Sequence, residues 1–128
     1  METATLCKLP MIISGATGES SVNANGIFFF QGIRNGMPFY KNFSNQKYFY
    51  RASDGYWYVY DKDSFEACKP GGWCHSAEPG LTHPTRASMW KIVSSGKWEE
   101  RPAVKVAAMV PGKMIKSSSF YCIFFFQM

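Results

Sequence analysis

Three turn-forming pairs divide the first half of the chain into short aromatic runs. Asn25-Gly26 precedes Ile27-Phe28-Phe29-Phe30, and Asn35-Gly36 precedes Met37-Pro38-Phe39-Tyr40. Lys47-Tyr48-Phe49-Tyr50-Arg51 leads through Asp54-Gly55 into Tyr56-Trp57-Tyr58-Val59-Tyr60. Asn-Gly and Asp-Gly supply the positive φ angles of a type I′ hairpin turn, and aromatic or β-branched runs fit a pleated surface. The spacing predicts an all-β fold: a small antiparallel β-meander sheet or half-open barrel of about six or seven strands. Pro38 cannot donate to a ladder, so its run is expected at a sheet edge or with the proline at a non-bonded position.

Composition agrees. Aromatic residues make up 17% of the 128 positions, and Leu occurs only at positions 6, 9 and 81. Leucine is the commoner helix-core residue, whereas aromatics favour sheets. The length fits one domain. Residues 1–18 read as an irregular lead-in in which Met11-Ile12-Ile13 can form a first strand. Residues 19–108 read as a single β domain, and 109–128 as a tail. Within the domain, residues 61–88 read as one long polar, Gly/Pro-rich loop. Such loops are commonly functional, mobile, or hiding a short element. Met89–Val93 and Lys97–Glu99 form a further hairpin around Ser94-Ser95-Gly96, and Val104–Val106 suits a last strand. Gly-x-Trp occurs at both Gly55 and Gly96, which is repeated hairpin grammar without a fixed period.

Function classes are mostly narrowed by exclusion. The net charge of +5 comes from 14 basic and 9 acidic residues spread along the chain, with no polybasic run. Nucleic-acid binding normally needs a basic stripe, so it is the weaker reading here. No run reaches the ~20 apolar residues of a membrane-spanning helix. Leu6–Ile13 is too short and too broken by Pro10 for a secretory signal, which slightly favours an intracellular setting with reduced thiols. No cofactor motif is present. Gly15-Ala16-Thr17-Gly18 lacks the Lys-Ser/Thr of a phosphate cradle. Asp61-Lys62-Asp63 starts like a calcium loop but has Glu66 where that loop needs glycine. These carboxylates are expected to bond nearby turn N–H groups instead.

Two candidate sites remain. Cys68, Cys74, His75 and His83 are the weak metal or thiol candidates. Their donor types suit zinc, but five residues separate the cysteines, and adjacent Cys74 and His75 do not easily reach one ion. The stronger candidate is aromatic. In Tyr56–Tyr60, alternation puts Trp57 and Val59 on one face and the three tyrosines on the other. Tyr56, Tyr58, Tyr60 and Trp73, with Arg34 and Arg51 nearby, suit stacking and hydrogen bonding to a protein or glycan partner. The plain alternative is a core on one face and a covered second face.

The order of these motifs resembles a recurrent module of large proteins in marine protists and algae. That pattern runs Asn-Gly-x-Tyr, Asn-Gly-x-Pro-x-Tyr, a Tyr-rich strand, Gly-x-Trp-x-Ile/Val, and a Pro-rich stretch ending in Trp. Here Asn25–Phe28, Asn35–Tyr40, Tyr48–Arg51, Gly55–Asp61, Pro84 and Trp90 carry it, with Phe28 in place of the first Tyr. The module recurs beside varied catalytic domains, so the resemblance implies an accessory or recognition role without catalysis. Beyond its span, Phe120–Phe126 is an uncharged apolar run free of proline, an aggregation liability if exposed. It reads as a buried strand, a partner-binding or membrane-touching tail, or a segment outside the fold.

Overall fold

A computed structural model describes residues 6–110. Nine strands form one antiparallel sheet: β1 (Met11–Ser14), β2 (Gly26–Arg34), β3 (Met37–Asn42), β4 (Lys47–Arg51), β5 (Trp57–Tyr60), β6 (Cys74–Ser76), β7 (Trp90–Ser94), β8 (Lys97–Glu100) and β9 (Lys105–Ala108). The order across the sheet is β8-β7-β6-β5-β4-β3-β2-β1-β9. The expected meander is therefore present, and longer than six or seven strands. The strand without a counterpart in the sequence reading is β6, which lies inside the segment read as an irregular loop, while the expected last strand is β9, laid beside β1. That segment also holds a short helix, Lys62–Glu66, and a 3-10 turn, Pro84–Arg86. The Phe120–Phe126 run lies outside the described residues.

Two turns follow the sequence rule. Asn35 and Gly36 have φ of 53° and 77°, and Ser95 and Gly96 have 52° and 78°, so both close two-residue hairpins with positive φ at each position. Asp54-Gly55 differs: only Gly55 is left-handed, and its N–H donates to the Ala52 carbonyl in a three-residue loop. Asn25-Gly26 is not a hairpin turn. Asn25 is extended at φ −75°, and its side chain accepts from the Ala16 N–H and donates to the Ala16 carbonyl. An asparagine that can bridge a loop has been spent on that instead of a turn. Pro38 is not on an edge strand either, because β3 lies between β2 and β4. It pairs with Ile33 of β2, while the β4 register starts only at Tyr40. The proline sits where β3 has one laddered neighbour.

The sheet curls into a half-barrel around its main core. Register aligns inward residues: Met11 stands opposite Phe28, Phe30 opposite Tyr40, and Tyr40, Phe49, Val59, Cys74 and Ile92 form one row across successive strands. Phe49 is central, with ring centroids 5.6 Å from Phe28 and Trp57 and 5.8 Å from Trp90. The segment after β1 reaches β7 and the β7–β8 turn. There the Ser20 hydroxyl donates to the Val93 carbonyl at 2.6 Å, and the Glu19 carboxylate accepts from the Ser95 N–H at 3.0 Å. The loop after β6 is tied down at Leu81, whose carbonyl accepts from the Trp57 indole and from Arg51.

Candidate functional site

The same alternation that fills the core sends a second set of aromatics outward. On β3 to β5 this outer set is Phe39, Tyr48, Tyr50, Tyr58 and Tyr60. Half of it is covered. The helix Lys62–Glu66 starts at Asp61, whose side chain accepts from the Ser64 N–H and so caps it. Those bonds hold the Asp61 carboxyl below its usual range. The helix lays Phe65 on the sheet, stacked on Tyr48 (4.5 Å, 5° between planes) and packed on Phe39 and Tyr50. Arg34 secures the far end of the helix by donating to the Phe65 and Glu66 carbonyls, both at 2.6 Å, with its guanidinium 4.5 Å from the Phe65 ring centroid.

The other half of this face, on β5 to β8, has no helix over it among the described residues. Tyr58 stands opposite His75, His75 opposite Lys91, and Lys91 opposite Glu100. Trp98 leans over this row, 4.3 Å from the His75 ring and near-perpendicular to it. Tyr56 meets His75 at 5.4 Å from the turn side. His75 and Tyr58 are buried, Tyr56 is half-buried and Trp98 is 39% exposed. The result is a step of rings with Trp98 as its accessible top.

Its polar atoms are largely committed. The Tyr58 hydroxyl donates to Asp54 at 2.7 Å, and burial first, then that bond, push its pKa well up. His75 Nδ1 lies 2.5 Å from the Ser76 carbonyl, which can only accept, so Nδ1 carries the proton. Burial, opposed by that bond, lowers the His75 pKa, so the ring stays neutral at pH 7. At neutral pH both side chains are thus uncharged, with the Tyr58 hydroxyl and His75 Nδ1 engaged within the protein.

The sequence candidates are dispersed over this geometry. Tyr56 and Tyr58 belong to the ring step. Tyr60 pairs instead with Trp73 (5.7 Å, perpendicular), and Lys47 caps Trp73 at 4.7 Å. Arg34 and Arg51 hold the helix and the Leu81 loop, so neither is a free ligand group on the ring step. The Cys/His set does not converge. Cys74 faces the core and His75 the outer face, as neighbours in one strand must. Cys68 is a thiol beside the Arg51 carbonyl, and buried His83 caps the Pro84–Arg86 turn by accepting from the Thr85 N–H. No cluster of three or more metal-ligating side chains exists among the described residues, so Cys68, Cys74, His75 and His83 do not form a zinc-type ligand set there. Also among these residues, no helix is long and apolar enough to cross a membrane.

Sequence reasoning separated His75 from Trp98. Donor type groups His75 with metal ligands, and the Gly-x-Trp pattern places Trp98 in a separate hairpin. The signal that joins them is register across β6, β7 and β8, which a chain pattern does not contain. No protein-family model, curated protein or solved structure matches this chain.

Proposed function

We propose that this domain is a non-catalytic binding module and that Trp98, with Tyr56, Tyr58 and His75, forms its contact surface for a protein or glycan partner. One observation carries the reading: a partly exposed indole rests on a step of three packed rings, on the half of the outer face that no described helix covers. A ring whose supporting neighbours are buried loses little freedom when a ligand stacks on it. The charged groups beside it, Lys91 and Glu100, suit hydrogen bonds to a partner's polar groups. The motif order that resembles the recurrent protist and algal module supports the same accessory role.

The test is a glycan array and an affinity pull-down with the full chain and with Trp98→Ala. Binding that disappears in the variant, while its thermal unfolding stays within a few degrees of the parent, supports the surface. A flat result in both assays, or binding indifferent to Trp98, overturns it.

A further inference from the structure

Among the described residues, the large exposed apolar side chains other than Trp98 are Val22, Phe29, Ile33 and Phe43, and all lie on or beside β2. Three of them, with Ile27, line an open groove of about 560 Å³ between the segment before β2 and the β3–β4 turn. Val22 is 75% and Phe43 52% exposed. The amides along this groove are bonded to the protein's own backbone. Asn25 bridges Ala16, Asn42 accepts from the Ser44 N–H, and Asn45 donates to the Val22 carbonyl and accepts from the Lys47 N–H. What the groove offers a ligand is therefore apolar surface with one cation at its margin, Lys41, 4.9 Å from the Phe43 ring centroid. A sugar or a charged peptide would find few donors or acceptors there. An uncharged aromatic segment would be matched in kind.

The chain carries such a segment within reach. After Val110 it runs on to Met128 and includes Phe120-Tyr121-Cys122-Ile123-Phe124-Phe125-Phe126. In the β9-β1-β2 register, Ala107 aligns with Ile12 and Ile12 with Ile27. The exit of β9 is thus two strand spacings, roughly 10 Å, from the groove's Ile27–Phe29 edge. The nine residues 111–119 can span about 30 Å when extended. Tethering at that distance gives an effective concentration on the order of millimolar, which a free partner rarely reaches. We infer that residues 120–126 of the same chain are the occupant of this groove. Their docking would shield two aggregation-prone surfaces at once, and their release would expose both.

The experiment places the photo-crosslinker p-benzoyl-L-phenylalanine at position 43 of the full chain, and in a second variant at position 29. Each variant is first checked by amide NMR dispersion for a folded sheet. After irradiation and digestion, mass spectrometry is expected to find adducts joining the probe to peptide 120–126, within single chains, in a yield unchanged by dilution. Adducts to a second chain, adducts elsewhere, or no adduct from either position overturn the inference. As a second readout, Phe124→Asp combined with Phe125→Asp is expected to raise binding of a hydrophobic dye and to abolish the adduct. Neither readout involves Trp98, so loss of the binding function proposed above leaves this test intact.

Discussion

Replacing Phe65 by alanine tests whether the short helix is a true cover for half of the outer face. Burying a phenylalanine is worth about 1.5–3 kcal/mol. Phe65 also makes three ring contacts, with centroids at 4.5, 4.6 and 5.3 Å, of which the parallel stack on Tyr48 is the closest. Aromatic pairs add about 0.5–1.5 kcal/mol each, not additively. The Arg34 guanidinium over the ring adds about 0.5–1 kcal/mol. These contributions approach roughly 4–5 kcal/mol. The site is at the surface, so water replaces the ring and no closed cavity remains, which removes part of the usual core penalty. The expected loss is about 3 kcal/mol. In a domain of this size that corresponds to roughly 10–20 °C in Tm. The assay is urea unfolding followed by tryptophan fluorescence, with the slope m compared between parent and variant. Hydrogen exchange should localise the loss to residues 61–70 and the outer side of β4. A loss under about 1 kcal/mol, with no change in exchange at Tyr48 or Tyr50, would refute the claim that the helix is packed onto the sheet.

Other outcomes follow from the same geometry. His75 and His83 both have pKa values lowered by burial, so the unfolded chain binds more protons than the folded one below its ordinary value of 6.5. Stability should hold above about pH 6.5, fall as pH drops below it, and fall less in a His75→Gln, His83→Asn double variant, as read by Tm between pH 7 and 5. Gly72 has φ +98°, and a Cβ there would sit 2.1 Å from the Val59 carbonyl oxygen; Gly72→Ala should cost more than about 2 kcal/mol in urea unfolding, through strain and a clash. Burial pushes the Cys74 thiol up to about 12, so iodoacetamide at pH 8 should leave Cys74 unmodified in the native protein and label it only after unfolding, as mass spectrometry of the peptides would show.

The legible parts of this molecule were those in which local chemistry and global packing agree. Tyr56–Tyr60 reads as a strand with two distinct faces, and it is one: Trp57 and Val59 enter the core while Tyr58 faces out. Asn35-Gly36 reads as a hairpin turn and is one: both residues hold positive φ, and the Asn35 side chain makes only a long contact, 3.9 Å, to the Cys68 sulfur. Asn25-Gly26 has the same letters but a different role, because Ala16 lies close enough in space to capture the side chain. Strand β6 was illegible for another reason. Cys-His-Ser has no apolar run, and its pairing is imposed by β5 and β7 on either side. The ring step was half legible: Tyr56 and Tyr58 stand out in the sequence, but their meeting with His75 and Trp98 is decided by register across three strands.

Strand order also sets a timetable for assembly. Every pairing but one joins strands that are consecutive in the chain; the exception is β1 with β9. Consecutive hairpins close small loops at low entropic cost, whereas β1 and β9 must meet across nearly the whole described chain. The β5–β8 portion, with its rings, can therefore assemble from neighbours alone during synthesis. The outer flank of β1 must wait until Ala108 has left the ribosome, and until then it remains an open template to which any other extended chain could bind.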